Sequence, residues 1–299
     1  MMHRIGIDVG GTRLKVGRVV DGQVAVRAAD DTPHDFAQMI EVLARLVRKV
    51  VPEGEACTIG AGVPGVFDEG MSGIVDSPNL RFLDGQPLRE ALAAATGAEV
   101  RLGNDASVAA LAEARYGKGH EYPTFLLATI GTGIGGGLIF DGKLWEGTAG
   151  MAGEYGHLSA ASAFVPEEIP LCNCGNPGCL EVYASASRMT ERGRARTGEA
   201  EIELPELANR ARMGDPVALS VFVDAGRALG EGFAQVVQLL DIRVLLLGGG
   251  AGAIVDLVRG PLIDKVVERC AGRTHSAYTV DRAELGNDAG LLGASALLG

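Results

Sequence analysis

The sequence predicts an α/β fold with an internal duplication, and three observations lead there. Short runs of Val, Ile and Leu that stop at glycines alternate with segments whose apolar residues recur every three or four positions, the periods of buried strands and amphipathic helices. Glycine is abundant, at 44 of 299 residues, yet not periodic, so it marks strand-to-turn joints rather than a fibre or a disordered tract. Residues 8–22 and 129–142 share one plan: a strand, a Gly/Thr turn, a second strand and an Asp-Gly hairpin signal.

In order along the chain, residues 4–9 read as a buried strand, Gly10-Gly11-Thr12 as a turn and residues 14–20 as a second strand. Asp21-Gly22 then turns the chain into a third strand over 23–27. Phe36, Ile40, Leu43, Val47 and Val50 share one helical face, and residues 57–63 return to strand before Pro64-Gly65 breaks it. A short helix over 87–96 closes at Gly97, a strand over 100–102 runs into Gly103-Asn104-Asp105, and a helix over 106–116 stops at Gly117. The second unit opens with a strand over 125–130, a long turn from Gly131-Thr132-Gly133 through Gly137, and a strand over 138–140 that meets Asp141-Gly142. Asp215-Pro216 starts a helix to about residue 240, a strand spans 244–247, the loop Gly248-Gly249-Gly250-Ala251-Gly252 follows, and helices near Leu262 and Ala289 close the chain.

Composition removes several classes of function. A net charge of -11 argues against a nucleic-acid partner, which calls for a basic face. No apolar run approaches the roughly eighteen residues that a membrane span needs. The chain does not open on a basic-then-apolar run and its five cysteines are an odd number, so it is expected in a reducing, cytoplasmic compartment.

The cysteines carry the most specific signal. Cys172-Asn173-Cys174-Gly175-Asn176-Pro177-Gly178-Cys179-Leu180-Glu181 places three thiols on a tight Gly/Asn/Pro knuckle, and Gly153-Glu154-Tyr155-Gly156-His157 supplies one imidazole. His157, Cys172, Cys174 and Cys179 form a donor set for one tetrahedral zinc ion, closed and therefore structural. The alternatives are one disulfide with a thiol left over, or small apolar residues on a loop; a reducing compartment favours metal. Cys57 and Cys270, each alone in an apolar stretch, are expected as buried core thiols.

The two glycine turns point to phosphate. Gly131-x-Gly133-x-x-Gly136 matches the dinucleotide fingerprint, but a strand and hairpin follow it where that fingerprint needs a helix, and neither turn ends as a Walker loop does. What remains is a pair of turns whose amides and Thr hydroxyls can cradle phosphate oxygens. One such turn is more often a plain hairpin bend; two in matching settings favour the phosphate reading. Asp8, beside Gly10-Gly11-Thr12, is placed either to cap the turn or to hold magnesium through water. Gly249 and Gly250, after a buried strand, suit the nucleoside end of the same ligand. Asp105 is either half of an Asn-Asp capping pair or a general base, and a helix N-terminus favours its charged form. An ionised carboxylate there can take the proton of a hydroxyl that attacks a γ-phosphate.

With these residues in view, the chain resembles the ROK family of sugar kinases and sugar-responsive repressors. The motifs that carry the likeness run nearly end to end: DVGGT at Asp8, GVPG at Gly62, SPNL at Ser77, NDA at Asn104, GTGIGGG at Gly131, GEYGH at Gly153, CNCGNPGC at Cys172, GGG at Gly248 and LGNDAGLLGA at Leu285. The resemblance is strongest to the glucokinase branch. It implies an actin-like (ribonuclease H-like) two-domain ATPase fold with a cleft between a small domain, residues 1–106 plus 286–299, and a larger one, residues 107–285, that carries the zinc knuckle. It further implies Asp105 as general base, with Gly65, Asn79, Asn104, Asp105, Glu154, His157 and Glu181 at the sugar. ATP would lie on Asp8, Gly10, Gly11, Thr12, Arg13, Gly131, Thr132, Gly133, Gly249 and Gly250, with Asp8 on magnesium. A homo-oligomer, dimer or tetramer, is also implied.

Arg13, Gly103 and Phe82 stand where many relatives carry Lys, Glu and Trp, and the segment from His157 to Cys172 is slightly long; the last two departures, Phe82 and the long segment, bear on the sugar rather than on the reaction. The expected activity is transfer of the γ-phosphate of ATP to the 6-hydroxyl of a hexose, glucose first. N-acetylmannosamine, N-acetylglucosamine, mannose and fructose are the alternative acceptors. A sugar-sensing regulator on the same fold would need an N-terminal helix-turn-helix, and because the first phosphate turn is reached within about ten residues of Met1 the expectation is a kinase rather than a regulator.

Overall fold

The structure, a computed structural model, describes residues 2–148, 150–163, 169–270 and 274–299. Its elements in chain order are β1 His3–Val9, β2 Arg13–Val20, β3 Gln23–Asp31, α1 Phe36–Val50, β4 Cys57–Val63, β5 Val66–Phe67, β6 Ile74–Asp76, α2 Leu88–Thr96, β7 Glu99–Asn104 and α3 Asp105–Tyr116. There follow β8 Phe125–Ile130, β9 Ile134–Phe140, β10 Lys143–Trp145, α4 Glu181–Ala184, α5 Ala186–Thr197, α6 Leu204–Arg212, α7 Pro216–Leu240, β11 Val244–Gly248, α8 Val255–Arg269, β12 Thr279–Arg282 and α9 Ala289–Ala296. Contacts group the chain into two compact units, one of residues up to Pro123 with Gly137–Gly153 and Asn287–Gly299, the other of Thr124–Gly136 and Glu154–Gly286. The sequence places the join at residue 106. In the structure residues 107–123 group with the first unit, where α3 packs against α9.

The duplication is present in the topology. One sheet has the order β3-β2-β1-β4-β7 and another the order β10-β9-β8-β11-β12, so each reads third, second, first, fourth, fifth along its own strands. Both Asp-Gly hairpins adopt the same left-handed pair, Asp21 at φ 49 with Gly22 at φ 75 and Asp141 at φ 48 with Gly142 at φ 72. Two successive positive φ values are what a two-residue turn requires to follow the strand twist, and Asp-Gly tolerates them.

The first unit's core follows from strand alternation. Ile5, Ile7, Ile59, Ala61 and Val63 are buried with Met39, Leu43 and Leu46 of α1 and Leu88 and Leu92 of α2. Between them, Gly6 and Gly60 meet α9: a Cβ on Gly6 would lie 1.9 Å from the Leu291 carbonyl oxygen, and one on Gly60 1.7 Å from that of Ala294. The first turn of α9 also reaches the strand end, since a Cβ on Gly290 would stand 2.8 Å from Asp8 Cγ. In the second unit, long α7 packs on α8, and bare Gly226 and Gly230 let the Val258 and Leu262 carbonyls come close.

Three expectations are corrected. The second glycine turn is shorter than predicted, because Ile134 to Gly137 already belong to β9; a Cβ on Gly137 would stand 2.5 Å from Ala110 Cβ, so this glycine serves close approach to α3 rather than a turn. β3 extends to Asp31. Residues 186–212, given no element by the sequence, also hold α5, which buries only Met189 and Gly193, and α6, which buries Leu207, Ala208 and Ala211 on one face. Cys57 and Cys270 are half-buried, not core. Among the described residues no helix is long and apolar enough to cross a membrane.

The fit of α9 on the sheet makes a stability prediction. Gly60→Ala should destabilise by about 3 kcal/mol or more, since backbone rather than a pliable side chain must yield, while Gly260→Ala on α8, with nothing within 4 Å of its Cβ position, should change stability little. Urea midpoints of the two variants check this.

Candidate active site

In the first unit, parallel β1, β4 and β7 bring their carboxyl ends into register: Asp8 lies beside Gly62, Gly62 beside Gly103, and Val63 beside Asn104. Ligands of α/β sheets bind outside such strand ends. Asn104 caps α3, its Oδ1 accepting from the amides of Ala106 at 3.0 Å and Ser107 at 3.2 Å, while its Nδ2 donates to the Gly65 carbonyl at 3.3 Å. A second Nδ2 hydrogen remains for a ligand. Asp105 is thereby fixed as the first residue of α3, with Oδ1 accepting from the Ala106 amide at 2.9 Å. The expected capping function thus falls mainly to Asn104.

Gly65 sits at φ +130, and a Cβ there would be 2.7 Å from the Asp76 carbonyl, so no side chain separates this turn from its surroundings. Ser77 holds the neighbouring segment by donating from Oγ to the Pro64 carbonyl at 2.9 Å, and Asn79, two residues further on, is exposed. Asp8 accepts from Lys15 Nζ through Oδ2 at 2.8 Å. In the adjoining turn the Gly10 amide donates to the Arg13 carbonyl at 3.0 Å and Thr32 Oγ1 to the Gly10 carbonyl at 2.7 Å. Gly11, Thr12 and Arg13 are exposed.

The second unit carries the matching turn. The Gly131 amide donates to the Gly133 carbonyl and the Ala186 amide to the Gly131 carbonyl, both at 2.9 Å, leaving Thr132 exposed. Gly249 lies at φ +75, with a Cβ position 2.7 Å from the Ile130 carbonyl, and Gly250 faces open space. Beside the turn is a cavity of ≈ 550 Å³ lined by Gly131, Thr132, Ala186, Ser187, Thr190 and Glu191 among others. The α5 residues were missed by sequence reasoning. Their one local signal is Ser185, whose side chain caps α5.

His157, Cys172, Cys174 and Cys179 converge, their donor atoms all within 4.8 Å of one another. Cys174 Sγ and Cys179 Sγ are 3.6 Å apart and Cys172 Sγ and His157 Nδ1 3.8 Å, close to the edges of a tetrahedron with zinc–sulfur bonds of about 2.3 Å. The donor set and spacing fit a metal ion; part of the segment from His157 to Cys172, residues 164–168, lies outside the described residues. His157 turns Nε2 the other way, 3.7 Å from Glu154 Oε2. Burial raises the Glu154 carboxyl above its ordinary range, with His157 drawing it down and Glu181 pushing it up. Glu181 places Oε1 2.9 Å from Cys172 Sγ and accepts from the Ile134 amide through Oε2 at 3.4 Å.

The ROK family matches residues 4–299 of the chain. A glucokinase of Thermotoga maritima is 33% identical over 98% of this chain and 96% of its own. An N-acetyl-D-glucosamine kinase of Histophilus somni is also 33% identical, over 98% and 97%. Among solved structures, a ROK family glucokinase from Streptomyces griseus in complex with glucose and AMPPNP superposes with a TM-score of 0.83 at 29% identity, over 99% of this chain and 98% of that one. The fold is thus that of the ROK kinases, the actin-like ATPase fold.

The cysteine cluster makes a chemical prediction. Burial pushes Cys172 up and Cys179 up to about 11, whereas exposed Cys174, on which burial also works upward, is held at about 7 by hydrogen bonds from the Asn176 amide and the neighbouring thiols. In metal-free protein, iodoacetamide should therefore label Cys174 first, at a rate that climbs about tenfold per pH unit below pH 7 and then levels as the thiolate saturates. Peptide mapping by mass spectrometry checks both, and labelling led by Cys57 or Cys270 would contradict it.

Proposed function

The chain belongs to the ROK family, and we propose that it transfers the γ-phosphate of ATP to the 6-hydroxyl of a hexose, glucose first, with Asp105 as general base. The observation that carries this is the placement of Asp105 at the carboxyl edge of β1, β4 and β7, fixed by the Asn104 cap and sharing that edge with Asp8 and the Gly10–Thr12 turn. In this reading Gly65, Asn79, Asn104, Glu154, His157 and Glu181 bond the sugar hydroxyls. A site built from such polar groups rejects analogues that lack the hydroxyls, because its own donors and acceptors would be left unpaired.

The 6-hydroxyl oxygen attacks the γ-phosphorus, the bond from that phosphorus to the β–γ bridging oxygen breaks, ADP leaves, and the hydroxyl proton passes to the Asp105 carboxylate. Backbone amides of Gly11, Thr12 and Arg13 and of Thr132 and Gly133 cradle the phosphates, while those of Gly10 and Gly131 close the two turns on the Arg13 and Gly133 carbonyls. The ≈ 550 Å³ cavity beside Thr132, with the hydroxyls of Ser187 and Thr190 and the aliphatic Ala186, suits the nucleoside, with Gly249 and Gly250 beside it. Asp8 would hold magnesium, which supplies charge neutralisation to the triphosphate; the Lys15 pair engages only Oδ2.

His157, Cys172, Cys174 and Cys179 would hold zinc, which supplies rigidity and no nucleophile. Such an ion on His157 Nδ1 leaves Nε2, which faces Glu154, for the sugar. The function carries with it a cytoplasmic homo-oligomer, dimer or tetramer, and a small-molecule partner set of sugar and ATP without nucleic acid or membrane. N-acetylglucosamine is the second acceptor to test, because the N-acetyl-D-glucosamine kinase of Histophilus somni is as similar to this chain as the Thermotoga glucokinase.

A coupled ADP-release assay with ATP and magnesium over glucose, mannose, fructose, N-acetylglucosamine and N-acetylmannosamine should show turnover with glucose at the highest kcat/KM. Absence of turnover with all five sugars would refute the assignment. Asp105→Asn should lower kcat by roughly 10²–10⁴ and leave the sugar dissociation constant nearly unchanged. Atomic absorption should find one zinc per chain in protein purified without chelator, and less in Cys174→Ser.

A further inference from the structure

Glu181 belongs physically to the phosphate turn as much as to the cysteine knuckle. One carboxylate oxygen sits 2.9 Å from Cys172 Sγ, and the other accepts from the Ile134 amide at 3.4 Å. That second oxygen would also be 2.7 Å from a Cβ on Gly133, so the carboxylate lies directly on the turn. The backbone that follows is tied there too, through the Ala186 amide to the Gly131 carbonyl at 2.9 Å. On the other side, a Cβ on Gly156 would stand 2.0 Å from the Ile134 carbonyl, so the Glu154–His157 turn rests on the same residue. Tyr155 anchors that turn by donating from its buried hydroxyl to the Leu229 carbonyl at 2.7 Å. Residues assigned to the sugar therefore abut the turn assigned to the donor phosphates at one point, Gly133-Ile134.

We propose that Glu181 is a positioning residue that couples acceptor to donor: a sugar hydroxyl held by its carboxylate settles that group on the Ile134 amide and sets the Gly131–Gly133 turn for phosphate. This rests on Glu181 being a sugar ligand. The bond to Ile134 is at the long end of the N–H···O range, so it has room to tighten when one side of the carboxylate is fixed. Gly133 is not in the left-handed region, and its nearest obstacle is the far end of a flexible side chain. Alanine can therefore occupy position 133 at the expense of displacing Glu181. By linkage, a sugar that improves nucleotide binding is itself bound better with nucleotide present, by the same factor. The enzyme would thus load the donor in productive form chiefly when an acceptor is there to receive the phosphoryl group.

Calorimetric titration with magnesium-AMPPNP, without and with saturating glucose, tests this; N-acetylglucosamine replaces glucose if that is the sugar phosphorylated. In the wild type the analogue's dissociation constant should fall by about five-fold or more when sugar is bound. Glu181→Ala and Glu181→Gln should bring that factor close to one with their metal content unchanged. Gly133→Ala should lower it as well, and should add no further loss in the Glu181→Ala background, because the displaced carboxylate is then already gone. If Glu181→Ala fails to fold, Gly133→Ala with Glu181→Gln completes the same cycle. A wild type that phosphorylates no hexose refutes the sugar-kinase assignment. One that does, yet binds the analogue equally with and without sugar, refutes the coupling alone, as do additive losses in the double variant.

Discussion

Three hydrogen bonds at the side chain of Asn104 fix the part of the structure on which the proposed chemistry depends. Two are accepted from the opening amides of α3 and one is donated to the carbonyl of Gly65, so a single amide group joins the end of β7, the start of a helix and the turn after β4. Asp105 has no freedom to choose its place: it is the residue between a strand end and a capped helix. A general base is useful only where its carboxylate meets the hydroxyl it deprotonates, and a cap is an economical device for holding one residue at a helix N-terminus, whose partial positive charge also favours the ionised form.

The duplication offers so acidic a chain a means of holding the polyanion that the proposed reaction requires. Phosphate would be met by main-chain amides in two turns of like construction, each between the first two strands of a sheet of the same order. Amide dipoles in a turn need no cationic side chain and keep their positions when the ligand leaves. Glycine at these turns would admit close approach of such a ligand. Elsewhere its purpose differs: at Gly60 it admits α9, and at Gly137 it admits α3. The same residue type thus supports binding at the strand ends and tight layering between them.

What could be read from the sequence was what is local. The cysteine spacing, the Asp-Gly hairpins, the Asn-Asp pair before α3 and the end-to-end ROK motifs each lie within a few residues, and local geometry follows from them. What could not be read depends on contacts between distant positions. The cavity beside Thr132 is walled by α5, whose mostly polar sequence has no apolar period, and the contact of Glu181 with Ile134 spans 47 residues. Glycines 135 to 137 read locally as a turn but belong to β9, and the purpose of Gly137, approach to α3 at Ala110, exists only once the chain has folded.

The central claim is that the Asp105 carboxylate accepts the proton of the attacking sugar hydroxyl. A crystal structure of the protein with glucose, magnesium and AMPPNP tests it most directly. The account predicts an Asp105 carboxylate oxygen within about 3.2 Å of the 6-hydroxyl oxygen, on the side facing the γ-phosphate. A carboxylate out of hydrogen-bond reach of every sugar hydroxyl, with another side chain in that position, would contradict it.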